Sequence, residues 1–417
     1  MADRVTVIGW DGSPPSDAAR AALDAATLVA GTRHHLALPY VPKQAEHIVL
    51  GSIDIAARRI AGHRGTAVVL ADGDPGFFGV VRALRDPEHG LEVEVIPGVS
   101  AVARAFARAG MPWDDARVVV ATSRTLRRAV NVCRSYPKVA VLTAPGAGPA
   151  ELALLLAGVH RTFVICEALG SEREQITVLT SDKVADHIWR DPNIVLVVGG
   201  STGSPGLAVL GSTAPPTAPG GRPATSRGGG WIAGRDPGFP GPVRGWALPA
   251  AEYGGDVPAP VRAYQLARLG PRTGDLVWDI GAADGALALE AARFGAAVIA
   301  VDRDAQACDW ITAAARRAGV QMQVVHGTAP QALEDLPEPD VVRIGCADPA
   351  VVAACAARRP ERIVAAAATR ESAAAVDRAL AEGGYTVERM LLRSAETDSG
   401  WQEPEGPAAF LLCGSRP

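Results

Sequence analysis

The six cysteines of this 417-residue chain, Cys133, Cys166, Cys308, Cys346, Cys355 and Cys413, are scattered, and none stand at the short paired spacing of a zinc site. Their placement argues against a structural zinc and against a disulfide framework, and it suits a reduced compartment. Charge of one sign is also scarce. The formal net charge is only −4, whereas chains that bind nucleic acid are more often basic. No uninterrupted apolar run is long enough to span a bilayer, because Pro145, Gly146, Gly148 and Glu151 break the longest candidates. The N-terminus has no basic-then-apolar signal region, since residues 4–8 enter a β-branched run at once. These absences lead to the expectation of a cytoplasmic protein with no metal, no membrane and no nucleic acid among its partners.

What is present is enough apolar residue, 48% of the chain, to build two cores, and a length that suits two domains better than one. Short β-branched runs at 4–8, 67–71, 92–96, 118–121, 139–143, 162–167 and 194–198 alternate with Ala-rich stretches at helical spacing, such as 16–30 and 100–108. Alternation of this kind predicts layered α/β structure. From Gly199 to about Gly245 the texture changes to Gly, Pro, Ser and Thr, too little apolar surface to offset the entropy of ordering. Strand-like runs resume at 276–280, 297–301, 322–326, 341–345, 362–367 and 386–392, with helical stretches at 258–269, 286–294, 305–318 and 370–382. That second half predicts a doubly wound parallel sheet of Rossmann type. The expected organisation is a first domain over 1–200, a Gly/Pro-rich linker over 201–245 and a second domain over 246–417.

Two glycine-rich loops carry the chemistry. In the second half, Val277-Trp278-Asp279-Ile280 runs into Gly281-Ala282-Ala283-Asp284-Gly285 and then a helical stretch. Such a turn lets backbone approach a ligand closely. About twenty residues on, Asp302 ends the next strand, where an acid accepts hydrogen bonds from ribose hydroxyls. NAD and S-adenosylmethionine both present that ribose. The turn favours the second. A dinucleotide site wants glycine where this chain has Ala283, and Asp279 and Asp284 suit a sulfonium better than a pyrophosphate.

In the first half, Ala71-Asp72-Gly73-Asp74-Pro75-Gly76-Phe77-Phe78-Gly79 and Ile96-Pro97-Gly98-Val99-Ser100-Ala101 follow two strand-like runs. Gly and Pro there fix tight turns and permit close backbone approach. With Gly31-Thr32-Arg33-His34-His35-Leu36, Met111-Pro112-Trp113-Asp114-Asp115-Ala116 and Cys166-Glu167-Ala168-Leu169-Gly170, they closely resemble the tetrapyrrole methylase family, in its branch that methylates precorrins at C-5. The second half, through residues 277–290, Val301-Asp302-Arg303-Asp304 and Gly327-Thr328-Ala329-Pro330-Gln331-Ala332-Leu333, resembles the precorrin methyltransferases that methylate C-15 and decarboxylate the C-12 acetate.

The resemblance implies a two-lobed tetrapyrrole methylase domain followed by a Rossmann-type methyltransferase domain, with S-adenosylmethionine as cofactor of both. Carried over position by position, it implies cofactor contacts at Gly9, Gly12, Asp72, Gly73, Asp74, Pro75, Phe78, Pro97, Gly98, Val99 and Ser100 in the first half. In the second half the implied contacts are Gly281, Ala282, Ala283, Asp284, Gly285, Asp302 and Ala329. A tetrapyrrole bearing acetates and propionates calls for guanidinium partners, and Arg33, Arg104 and Arg124 are the candidates, with Arg127 and Arg128 behind them. His34 and His35 are expected to follow the second helix, as a cap or on the surface. No catalytic acid or base is identified, and none is demanded by methylation of an electron-rich macrocycle. A homo-oligomer is expected by resemblance. The alternative is a chain whose first half alone is an active methylase, its second half retained as a docking module. It is motivated by the stretch Asp256-Val257-Pro258-Ala259-Pro260-Val261-Arg262, which lacks the Thr-Lys pair usual in that family.

Overall fold

The computed structural model describes residues 4–77, 79–199, 246–248, 253, 257–393 and 408–416. The expected linker, 201–245, and Phe78 lie outside the described residues. Two compact units emerge from the contacts within the chain. One comprises 1–113, 165–177 and 190–196, and the other 114–164, 178–189 and 197–417.

The first sheet contains β1 (Arg4–Trp10), β2 (Leu28–Gly31), β3 (Glu46–Val49), β4 (Ala67–Asp72) and β5 (Glu92–Ile96), in the order β3-β2-β4-β1-β5. All four neighbouring pairs in it are parallel. The central strands are buried on both faces, so β4 reads Ala-Val-Val-Leu-Ala without polar alternation. The chain runs from β1 out to β2 and β3, then returns through β4 to β5 on the other side. The carboxyl ends of β1, β4 and β5 therefore meet where the direction of winding reverses, the place where open α/β sheets bind ligands.

A second sheet contains β6 (Arg117–Val120), β7 (Lys138–Leu142), β8 (Arg161–Glu167), β9 (Gln175–Thr180) and β10 (Asn193–Gly199), ordered β6-β7-β10-β8-β9. The third contains β11 (Leu276–Ile280), β12 (Ala297–Asp302), β13 (Gln323–His326), β14 (Val341–Ile344), β15 (Arg362–Ala367), β16 (Thr386–Arg393) and β17 (Ala408–Ser415). Its order is β13-β12-β11-β14-β15-β17-β16. β13 to β15 with their neighbours are parallel, but β17 pairs antiparallel with both β15 and β16. The expectation of a purely parallel sheet is thus corrected to a mixed one. β16 and β17 are consecutive strands, and antiparallel neighbours need no crossover helix.

Other boundaries also differ from the sequence reading. The helical stretch expected over 16–30 is the helix Asp17–Asp24, capped where Ser16 Oγ accepts from Ala19 N, followed by β2. The apolar run after the helix is a fully buried strand, which a short window cannot separate from helix by periodicity. After β14 a helix forms over Pro349–Ala357 that the sequence reading lacked. Asp348 Oδ1 caps it by accepting from Ala350 N at 2.9 Å, and Pro349 occupies its first turn.

Within the second unit, the helix Leu126–Ser135 is fastened to the loops beside β11 and β14. Asn131 is buried and its Nδ2 donates to Gly274 O at 3.0 Å. Arg127 pairs with Asp340 at 3.0 Å, and Asp340 Oδ2 accepts from Leu276 N at 2.7 Å. Arg161 Nη2 reaches Gln321 Oε1 at 2.5 Å. Arg127 is thus tied into the fold, although its side chain stays about half exposed. Removing one partner of a buried hydrogen bond strands the other. Asn131→Ala is therefore expected to cost about 1–3 kcal/mol, seen as a lower midpoint in chemical denaturation of the purified chain. An unchanged midpoint would show that the bond contributes nothing net.

Candidate cofactor sites in the two halves

At the carboxyl ends of β1, β4 and β5 three loops pack backbone against backbone. A Cβ added at Gly9 would lie 2.1 Å from Gly73 O, 2.4 Å from Gly98 N and 2.9 Å from Pro75 Cδ. One added at Gly98 would lie 2.9 Å from both Gly73 O and Gly9 O. Gly73 adopts φ +64°, a left-handed conformation that glycine takes without penalty, and its N–H donates to Trp10 O at 2.6 Å. Gly9, Gly73, Pro75 and Gly98, separate in sequence, are thus one junction. Around it Ser100 Oγ caps the helix Ala101–Ala109 by accepting from Ala103 N at 3.0 Å. Asp74 Oδ1 accepts from Gly76 N at 2.8 Å, closing a tight turn.

Asp11 was given no role by the sequence and His35 only a cap or surface role, yet both organise this junction. Asp11 Oδ2 accepts from Val99 N at 2.9 Å and Oδ1 from Ser13 N at 3.0 Å, tying the first loop to the third. Burial pushes the Asp11 carboxyl up, but those amides and the Arg104 charge together hold it below the usual carboxylate range. His35 does not follow a helix or lie on the surface, as expected. It sits in the helix Arg33–Leu36 directly after β2, is 1% exposed, and its Nε2 lies 2.9 Å from Asp72 Oδ1. It therefore anchors the Asp72 side of the second loop from below. The Trp10 ring stands edge-on to both His34 and His35, with centroids 4.8 and 5.7 Å away.

Two cavities open at the junction. The larger, about 460 Å³, is lined by Asp11, Gly12, Ser13, Val99, Arg104 and Arg108 among others. The smaller, about 140 Å³, includes Gly9, Trp10, Tyr40, Leu70, Ile96 and Pro97. Arg104 donates to Asp11 O, so it braces the first loop while lining the cavity. Arg108, one helical turn on, faces the same space and pairs with Glu174. The i, i+4 spacing of these arginines was the available signal for Arg108. Arg33 and Arg124 are exposed and line neither cavity.

In the second half the turn after β11 is held by its neighbours. Gly281, Ala283 and Gly285 have φ of +67°, +52° and +70°. Gly281 N and Ala282 N donate to Val301 O at 2.8 and 3.2 Å, and Gly285 N donates to Ala282 O at 2.8 Å. Asp302, 9% exposed, accepts from Ala283 N at 2.8 Å on Oδ2 and from Asp304 N at 2.9 Å on Oδ1. A carboxylate offers about four acceptor sites, so Asp302 retains capacity for ribose hydroxyls. The turn spends four of its five amides, those of Gly281, Ala282, Ala283 and Gly285, on the protein itself, which is unlike the cradle of free donors that suits a pyrophosphate. Ala329 packs against the core cluster that includes Leu333 and Ile344. Among the described residues, no group of three or more His, Cys, Asp or Glu side chains could hold a metal, and no helix is long and apolar enough to cross a membrane.

The Gly9 junction makes a direct prediction. Gly9→Ala forces backbone apart at three loops, and overpacking of this kind costs about 1–3 kcal/mol. Because the displaced groups are those expected to hold the cofactor, S-adenosylmethionine bound per chain in equilibrium dialysis is expected to fall by one equivalent. Full retention of binding would remove the junction from the site.

Comparison with known proteins bears on both halves. Residues 12–185 match the family model for tetrapyrrole (corrin/porphyrin) methylases, and residues 257–403 match that for the precorrin methyltransferase domain. A precorrin-6Y C(5,15)-methyltransferase (decarboxylating) of Sinorhizobium sp. is 30% identical over 351 residues, covering 81% of this chain and 76% of that protein. The protein of the same description from Mycobacterium tuberculosis is 29% identical over 397 residues, covering 93% and 92%. A cobalt-precorrin-7 C(5)-methyltransferase of Salmonella typhimurium is 37% identical over 169 residues, 38% of this chain and 80% of that protein. With both glycine-built loops standing in α/β sheets of the expected kind, and both halves matched in order along one chain, this protein belongs to the precorrin-6Y C(5,15)-methyltransferase (decarboxylating) family.

Proposed function

We propose that the chain methylates a precorrin at C-5 and C-15 and decarboxylates its C-12 acetate arm during cobalamin synthesis, the first half acting at C-5 and the second at C-15. The observation that supports this reading most directly is the pair of glycine-built junctions, one in each matched half. S-adenosylmethionine is the co-substrate the family implies, and its sulfonium supplies the methyl group at each site. In the first half the reading gives the cofactor to the loops around Gly9, Gly12, Asp72–Pro75 and Pro97–Ser100. In the second it gives the cofactor to Gly281–Gly285 and Asp302, with Ala329 nearby.

Methyl transfer breaks the carbon–sulfur bond and forms a carbon–carbon bond at an electron-rich ring carbon. The protein's part is alignment and exclusion of water. Rigid loops serve that part, since small displacements of the reacting atoms are costly. In the first half Arg104 and Arg108 provide guanidinium groups for the carboxylate arms of the macrocycle, each able to engage an oxygen pair. In the decarboxylation, the bond from the acetate carbon to its carboxylate breaks, CO2 leaves, the electron pair passes into the conjugated ring, and a proton from water then completes the methyl group left on the arm. The homo-oligomer implied by the resemblance is part of this reading and is open to light scattering.

The test is mass spectrometry of the product formed by the purified chain from its precorrin substrate and methyl-labelled S-adenosylmethionine. Two labelled methyls with loss of CO2 are expected. One methyl without loss of CO2 would return the second half to a docking role, and no methyl would withdraw the substrate. Arg108→Ala is expected to raise KM for the precorrin by about tenfold without changing KM for S-adenosylmethionine. Equal changes in both would place Arg108 elsewhere in the mechanism.

A further inference from the structure

β14 carries one charged residue among three buried aliphatic ones: Val341, Val342, Arg343 and Ile344. Arg343 is only 7% exposed. It stands in register with Asp279 of β11, which is fully buried. Its Nη1 donates to Asp279 Oδ1 at 2.9 Å and to Gly281 O at 3.0 Å. A buried ion pair is a poor way to gain stability, because desolvation offsets much of the attraction. A valine or isoleucine would serve packing alone. The guanidinium does what no aliphatic side chain can, which is to grip the carboxylate beneath the turn and the first carbonyl of the turn together.

The turn needs such a grip. Three of its five residues are left-handed, so it has none of the repeating hydrogen bonds of a helix or strand. Its amide side is fastened by Val301 O and Asp302, and the Gly281 carbonyl is fastened by Arg343. Gly345 makes room for this. A Cβ there would fall 2.6 Å from Arg343 Nη1 and 2.4 Å from Gly281 O. Besides Asp279, the acid that acts on this pair is Asp284 within the turn. Without the guanidinium, two carboxyl groups would share one low-dielectric pocket, and the turn would lose the donor that orients its first peptide.

We propose that Arg343 is a positioning residue of the second half: it fixes the shape of the Gly281–Gly285 turn and thereby sets the affinity for S-adenosylmethionine at the C-15 centre. The proposal rests on reading that half as the C-15 methylating centre. Three full-length variants test it: Arg343→Met, Arg343→Lys, and Asp279→Asn combined with Arg343→Met. Equilibrium dialysis with labelled S-adenosylmethionine gives the number of sites and their affinity, thermal unfolding gauges the fold, and product mass reports methyl count and CO2 loss. Arg343→Met is expected to weaken one of two sites by about tenfold or more and to raise KM at C-15 more than it lowers kcat. Arg343→Lys, which keeps a donor and the charge, is expected to recover part of the loss. The double variant removes the charge imbalance but not the missing donor, so its weak site is expected to persist even where Arg343→Met alone folds poorly. Wild-type affinity in Arg343→Met, or full recovery in the double variant, would overturn the proposal. A wild-type chain that binds at two sites but transfers no methyl at C-15 would instead overturn the reading of the second half.

Discussion

Close approach of backbone to backbone at the carboxyl ends of parallel strands is the constraint on which both sites depend. In the first half, Gly9 touches two other loops at distances no side chain survives. In the second, Gly345 and Gly281 meet with a spacing that leaves 2.4 Å between an added Cβ and a carbonyl oxygen. Parallel strands end at a common edge, and their loops must leave that edge in different directions. Glycine allows them to cross before they part. The resulting surface is made of peptide groups rather than side chains, so its shape is set by the sheet and varies little with rotamer.

Such surfaces need support, and each half supplies it with polar side chains, buried for His35 and Arg343 and partly exposed for Asp11. His35 meets Asp72, Asp11 meets the Val99 amide, and Arg343 meets Asp279 and the Gly281 carbonyl. None of these is an apolar core contact, and none is required to complete a helix or strand. Each instead fixes a loop that lacks regular hydrogen bonding. Asp11 illustrates the balance of forces. Desolvation alone would favour its protonated form, yet two amides and a guanidinium hold it ionised. The charge that links the first and third loops is then present above the carboxylate range and is lost only as acid protonates Asp11 below its ordinary pKa.

The strands beneath the glycine loops were legible in two ways: β4 reads as a nearly continuous buried apolar run, while β5, at the edge of its sheet, alternates Glu and Val. β5, β11 and β15 fall at the expected residues, and the glycine loops stand at the ends of β1, β4, β5 and β11 as their sequences implied. What was not legible has physical causes. β2 is four residues long and follows a helix of similar apolar texture. β17 pairs antiparallel with β15, and alternation cannot reveal a partner that is chosen by tertiary packing. His35 and Arg343 carry no local signal, since a histidine pair and a lone arginine in an apolar run are meaningful only once the facing carboxylate is in place. Arg104 and Arg108 mark the intermediate case, where helical spacing told which residues share a face but not that a cavity lies in front of it.

The two halves reach the same chemical end by different means. The first gathers three loops around a junction, with Asp11, Asp72 and Asp74 held at its margin. The second uses one glycine turn, with Asp279 beneath it, Asp284 within it and Asp302 across from it. In both, backbone donors are spent on the protein itself: the Val99 and Gly76 amides on Asp11 and Asp74 in one case, and the Gly281, Ala282 and Ala283 amides on Val301 and Asp302 in the other. An anion such as pyrophosphate gains from free donors and loses beside carboxylates. A sulfonium has the opposite preferences. Acid-rich loops of this kind suit a cationic methyl donor on either scaffold, and this shared electrostatic character, rather than any shared topology, is what the proposed use of one co-substrate in both halves draws on.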